Sequence, residues 1–160
     1  MMVWMTTPPL LEPAERLRAA GLKVTRGRTA ALEALMVQPH ATAEQLRAGV
    51  AAAGVPMTLQ AVYLALQVLT DHGLLRRIEP AGSAARYELR VGDNHHHLVC
   101  TACARVVDVD CVSGEAPCLL PGDTHGFSVA QAEVTFWGLC PGCAAERDQA
   151  LDGTGEEGAA

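Results

Sequence analysis

The sequence predicts an α+β protein in two parts: a helix-rich first part closed by two short strands, and a smaller α/β second part held together by metal. Three observations predict it. Four helical patterns follow one another before Gly73, the apolar period then drops to two, and two Cys-x-x-Cys pairs follow at Cys100/Cys103 and Cys140/Cys143.

At 160 residues neither part buries a generous core alone, so a metal ion or a dimer partner is expected. No apolar run approaches the ~18 residues of a membrane span. The start, Met1 to Leu11, lacks the basic end and cleavage pattern of a signal peptide, so the expected compartment is the cytoplasm. Six cysteines in a reducing compartment point to metal ligation or redox sensing before a disulfide framework. The net charge of −6 is unevenly placed. Residues 1 to 90 hold ten Lys/Arg against seven Asp/Glu, and residues 91 to 160 hold two against eleven. The first part can approach phosphates and the second can hold cations.

The first helix is expected from about Pro13 to Ala20, with Pro near its first turn and Gly21 past its end. A second runs from about Arg26 to Met36 behind Thr25 as N-cap. The third opens with the capping box Thr42-Ala43-Glu44-Gln45 and stops at Gly54. In the fourth, about Thr58 to Thr70, Leu59, Val62, Leu66 and Leu69 form the core-facing stripe, and Gln60, Tyr63 and Gln67 share another face. Amide and phenol groups on such a face either reach base edges in a major groove or are simply solvated. Strands are expected at Leu74 to Glu79 and Ala84 to Arg90, around the turn Pro80-Ala81-Gly82-Ser83. Helices followed by a two-stranded ribbon make a winged helix, with Arg76, Arg77 and Arg86 on the wing and Lys23, Arg26 and Arg28 opening the second helix toward phosphates.

In the second part, two Cys-x-x-Cys knuckles complete the four-thiolate set that structural Zn2+ prefers: Cys100, Cys103, Cys140 and Cys143. Both adjoin strand-like stretches, Arg105 to Val109 and Ala132 to Gly138. A thiol-disulfide redox protein is the rival reading of these pairs, and it lacks a thioredoxin-like strand-helix context around Cys100. Just upstream, alternation along a strand would point His95 and His97 one way and His96 the other. Imidazoles with nearby carboxylates, Glu88 and Asp108, suit a borderline divalent ion such as Fe, Mn or Zn. A hydrolase could use such a site with an open position, but no substrate pocket or paired general base is evident.

The run His95-His96-His97-Leu98-Val99-Cys100-Thr101-Ala102-Cys103, followed by Asp108, resembles the signature of the ferric uptake regulator family. Val24 to Arg28, His40 ahead of Ala43-Glu44-Gln45-Leu46, Ala61-Val62-Tyr63, Arg86-Tyr87-Glu88 and the closing Cys140/Cys143 match in the same order, over about residues 14 to 145. The resemblance implies a winged-helix domain over 1–90 (with 1–11 disordered), a metal-binding dimerisation domain over 91–150, and leaves 151–160 as a disordered acidic tail. It implies a dimeric repressor that binds double-stranded operator DNA, with no membrane and no small organic substrate among its partners. The regulatory metal, Fe2+ or Mn2+ with Zn2+ as the alternative of a zinc-uptake regulator, would take His40, Glu88, His95, His97 and Asp108. An accessory site would use His96, Glu115 and His125, although Asn94 stands where many members carry His and His96 replaces a common Asp. Leu64 stands where many members carry Arg. The stretch Cys111 to Gly122 interrupts the usual dimerisation helix and is similar to the branch linked to catalase-peroxidase and oxidative-stress control. Peroxide would then be read either at iron-bound histidines or by oxidation of Cys111 and Cys118, which otherwise are two small buried residues.

Overall fold

The computed structural model describes residues 11–91, 93, 95–111, 119, 121–129 and 132–152. The chain divides into two compact units. The first runs to Glu79 and resumes at Ala84–Val91, and the second consists of Pro80–Ser83 and the chain from Gly92 onward.

In the first unit, α1 (Pro13–Ala19), α2 (Arg26–Val37), α3 (Ala43–Ala52) and α4 (Leu59–Asp71) are each begun by the residue types the sequence offers. The Thr25 hydroxyl accepts from the Arg28 N–H, the Thr42/Gln45 capping box is closed in both directions, and the Thr58 hydroxyl accepts from the Ala61 N–H. Glycines in the left-handed region, Gly54 at φ +78° and Gly73 at φ +66°, follow α3 and α4 where an L side chain would be strained. The four helices bury Leu17, Leu32, Leu35, Leu46, Leu66 and Leu69 to 1% exposure or less. Each such leucine contributes roughly 1.5–3 kcal/mol relative to an exposed one. The stripe expected on α4 is buried at Val62, Leu66 and Leu69, with Leu59 packed at its margin.

The strands of this unit are shorter than expected: β2 is Arg76–Ile78 and β3 is Arg86–Glu88. They pair with a two-residue strand absent from the sequence reading, β1 (Ala41–Thr42), in the antiparallel order β1-β3-β2.

The second unit holds β4 (His95–Cys100), β5 (Val106–Asp110), β6 (Thr135–Gly138) and α5 (Pro141–Asp152). The sheet order is β5-β4-β6, antiparallel between β4 and β5 and parallel between β4 and β6. Leu98 faces Val107 on one neighbour and Phe136 on the other, and all three stay exposed, at 45%, 42% and 48%. They make a cross-strand apolar row on one face of the sheet. Helix α5 continues through Asp152, two residues into the stretch expected as a tail from Leu151. Its start follows from Pro at the first helical position, and Ala144, Ala145, Glu146 and Arg147 are strong helix formers. The stretches expected to be disordered at 1–10 and 153–160, and most of Cys111 to Gly122, lie outside the described residues. Among the described residues, no helix is long and apolar enough to cross a membrane.

Candidate functional site

The unexpected β1 positions the first set of ligand-type side chains. Ala41 pairs with Tyr87 and Thr42 with Arg86, so the antiparallel ladder carries His40 to the place opposite Glu88. On the other side of β3, Arg76 pairs directly with Glu88. His40 Nε2 lies 3.0 Å from Glu88 Oε2, and Arg76 Nε lies 3.7 Å from Glu88 Oε1. Glu88 is 2% exposed. A buried carboxylate flanked by an imidazole and a guanidinium satisfies the rule that buried charges are paired. His40 reaches it from a left-handed backbone, φ 58°, a conformation costing a non-glycine residue on the order of 1 kcal/mol. The Arg86 guanidinium donates to the His40 carbonyl at 2.9 Å and secures this turn.

The second set sits on the β4–β5 pair. His97 pairs across the ladder with Asp108, and His95 with Asp110. His95 and His97 rings meet edge to face at 4.9 Å between centroids. Asp108 Oδ1 lies 3.6 Å from His97 Nε2 and 3.8 Å from His95 Nε2. His95 Nδ1 is 2.9 Å from Asp93 Oδ1, a partner the sequence reading missed. That contact directs the Nδ1 proton at Asp93 and turns the Nε2 lone pair toward Asp108. His96 points to the other face of the sheet, against the Phe136 ring. The accessory set is not assembled by the described residues: His125 is exposed and pairs with Asp123 at 3.4 Å, and Glu115 lies outside them. Cys111 is half-buried directly after β5, and Cys118 lies outside the described residues.

The parallel pairing of β4 with β6 brings Cys100 level with Gly138, so both cysteine knuckles emerge at the same end of the sheet. The four sulfurs of Cys100, Cys103, Cys140 and Cys143 all lie within 4.8 Å of one another, and Cys103 and Cys140 are 3.8 Å apart. A tetrahedron with Zn–S bonds of ~2.3 Å has edges of ~3.8 Å, so the donors fit zinc in number, type and size. Backbone N–H groups of Cys103 and Cys140, and of Ala102, point at the Cys100 sulfur and hold its thiol down to about 6. Cys143, crowded by the sulfurs of Cys140 and Cys103, is pushed up to about 12. Without an ion, negative charge therefore settles on Cys100 first. Ala104 closes the first knuckle in the left-handed region, φ 57°, with its N–H bonded to the Cys100 carbonyl at 2.9 Å.

Of the residues expected at a nucleic-acid surface, Lys23, Arg26, Gln60, Tyr63, Gln67 and Arg77 are exposed. Arg28 is turned back to the Lys23 carbonyl at 3.0 Å, and Arg77 pairs with Glu79. Arg76 is directed at Glu88 instead of outward, because the β2–β3 register puts them side by side.

Helices α3 and α4 with a stranded wing in one unit, and clustered thiols, imidazoles and carboxylates in the other, are the make-up of a metal-responsive DNA-binding regulator. Residues 19–137 match the model of the ferric uptake regulator family. The chain belongs to that family. It is 55% identical over 130 residues to the transcriptional regulator FurA of Mycobacterium tuberculosis, covering 81% of this chain and 88% of that one. It is 26% identical over 140 residues to the peroxide operon regulator of Bacillus subtilis, covering 87% and 96%. The solved structure of the ferric uptake regulator of Pseudomonas aeruginosa with manganese superposes with a TM-score of 0.58 at 25% identity, covering 82% of this chain and 99% of that one. The family match ends before Cys140, so the second cysteine pair is joined to it here by the sulfur geometry.

Proposed function

We propose that this protein is a metal-dependent transcriptional repressor that binds operator DNA as a homodimer in the cytoplasm, with iron or manganese, and peroxide, as its signals. The observation that carries this is the presence of a four-sulfur set of zinc dimensions beside imidazole and carboxylate side chains of metal-binding type in a chain 55% identical to FurA. Cys100, Cys103, Cys140 and Cys143 would hold a structural zinc that ties the ends of β4 and β6 together. His40 and Glu88 would share the regulatory ion with His95, His97 and Asp108. A bound divalent ion supplies the attraction that holds ligands from the two parts of the chain in one geometry, and occupancy then selects one arrangement of a DNA-binding unit over others.

The protein's own residues prepare that step. Glu88 is held in place by Arg76, 3.7 Å away, and the His95 ring is oriented by Asp93. The exposed row Leu98, Val107 and Phe136 supplies apolar surface for a second copy. A symmetric dimer presents two copies of α4 to a pseudo-palindromic operator. This reading gives the chain no catalytic step.

The test is metal content per chain, by mass spectrometry of anaerobically purified protein before and after EDTA dialysis. About one chelator-resistant zinc and one removable ion whose return restores DNA binding are expected. His95→Ala should keep the zinc and lose the metal response. Absence of resistant zinc, with all the cysteines open to thiol reagents, would overturn the reading in favour of a redox protein.

A further inference from the structure

Helix α4 carries a side chain that the amide-and-phenol account of its exposed face leaves out. Its buried stripe is Val62, Leu66 and Leu69. With about 100° of rotation per residue, Gln60, Leu64 and Gln67 lie within about 60° of one another on the opposite side, and Tyr63 lies at the edge of that face. Leu64 is 58% exposed, more than Tyr63 at 44%. The Tyr63 hydroxyl is drawn toward α3, where it donates to Glu44 Oε1 at 3.4 Å. The centre of the face is thus left to one leucine between two glutamines.

A single exposed leucine needs no explanation in itself. This one is the sixth residue of the 13-residue α4, the second helix of a helix-turn-helix, and the N-terminal half of such a helix is the part that meets base edges. The same unit exposes cations that a polyanion would meet: Lys23 just before α2, Arg26 at its start and Arg77 on β2. A leucine offers neither donor nor acceptor, and the one apolar group that the standard bases present in the major groove is the C5-methyl of thymine.

We propose that Leu64 is a specificity-determining residue that packs on a thymine methyl, so that the operator carries an A·T pair, with its thymine on the contacted strand, beneath the middle of α4 in each half-site. This rests on the DNA-binding reading above. Loss of one buried methyl contact corresponds to about a fourfold loss of affinity per half-site.

The experiment starts with the full-length, zinc- and Mn2+-loaded protein and a random duplex DNA library, from which bound sequences are enriched. Affinity is then measured on the enriched site with each thymine in turn replaced by deoxyuridine, which removes only the methyl. One position per half-site should show the fourfold loss with the parent protein, none with Leu64→Ala, and the loss again with Leu64→Met, which keeps apolar reach. Enriched DNA without a methyl effect, or with an effect that persists in Leu64→Ala, overturns the inference and leaves the DNA-binding reading standing. No enrichment by the metal-loaded protein overturns both.

Discussion

Glu88→Gln isolates the electrostatic centre of the first unit. The substitution keeps the shape of the side chain and removes the charge that faces Arg76 at 3.7 Å. At an effective dielectric near 20, the Coulombic attraction at that distance is on the order of 4 kcal/mol before desolvation is subtracted. Removing one member of a buried pair costs about 3–5 kcal/mol, and the low end applies because the Arg76 side chain keeps 18% exposure through which water can relieve it. The substituted amide would still accept from Arg76 and meet His40, which lowers the cost further, to about 2–3 kcal/mol. The effect should concentrate in the small β1-β3-β2 sheet, where Arg76, Glu88 and the neighbouring Tyr87 pair. Amide hydrogen exchange of the Arg77 and Tyr87 backbone, measured after EDTA treatment, should therefore accelerate on the order of 50-fold, while amides of α2 and α4 change little. Adding Arg76→Met should restore part of the protection, since the guanidinium that has lost the opposing Glu88 charge is then gone. Unchanged exchange in the single variant, or a double variant worse than the sum of its parts, would refute the assignment of Arg76 as the counter-ion of Glu88.

Three further outcomes follow from the second unit. Zinc binding at pH 7.5 should release fewer than four protons, because Cys100 is held down to about 6 and is already ionised; below pH 6 the sulfur takes up its proton, zinc must displace one more, and affinity falls more steeply with acid. Calorimetry in buffers of different ionisation enthalpy measures the count, and a count that does not change across pH 6 would contradict the backbone donation to Cys100. Ala104→Gly should stabilise the zinc-bound protein by about 0.5 kcal/mol, since relief of ~1 kcal/mol of left-handed strain outweighs the extra chain entropy of glycine; a loss of stability in guanidinium unfolding would show that the φ of 57° is not a strain. Asp93→Asn should weaken binding of the removable ion by about 10- to 100-fold with zinc content unchanged, because the carboxylate 2.9 Å from His95 Nδ1 sets the tautomer and orientation of the ring. Equal affinity for Mn2+ in a competitive titration would remove Asp93 from that role.

The helices were legible in the sequence because their signals are local. A threonine cap ahead of α2 and of α3, glycines past the ends of α1, α3 and α4, and a 3.6-residue apolar stripe act within one or two turns; Thr25 and Thr42 cap in the structure as their neighbours imply, and Thr58, read as the first residue of its helix, caps α4 as well. The two cysteine pairs were legible for the same reason: three residues of spacing determine that two sulfurs can face one ion. Leu64 was visible as a residue of a helix, and its exposure on the face opposite the core stripe follows from the same period.

What only the tertiary structure decided is what depends on register between distant strands. A two-residue strand has too few residues to show a period, so β1 is silent in the sequence, yet its pairing with β3 puts His40 against Glu88. The resemblance to a family named that pair, and no spacing rule could. Arg76 read as a wing cation because charge is visible in a sequence and cross-strand neighbours are not; pairing turned it inward onto Glu88. Likewise nothing local states that β4 and β6, separated by the whole chain from Thr101 to Val134, run parallel with Cys100 level with Gly138. That register brings two knuckles to one point, and a metal site is a property of the point where donors converge, which chain-local preferences do not encode.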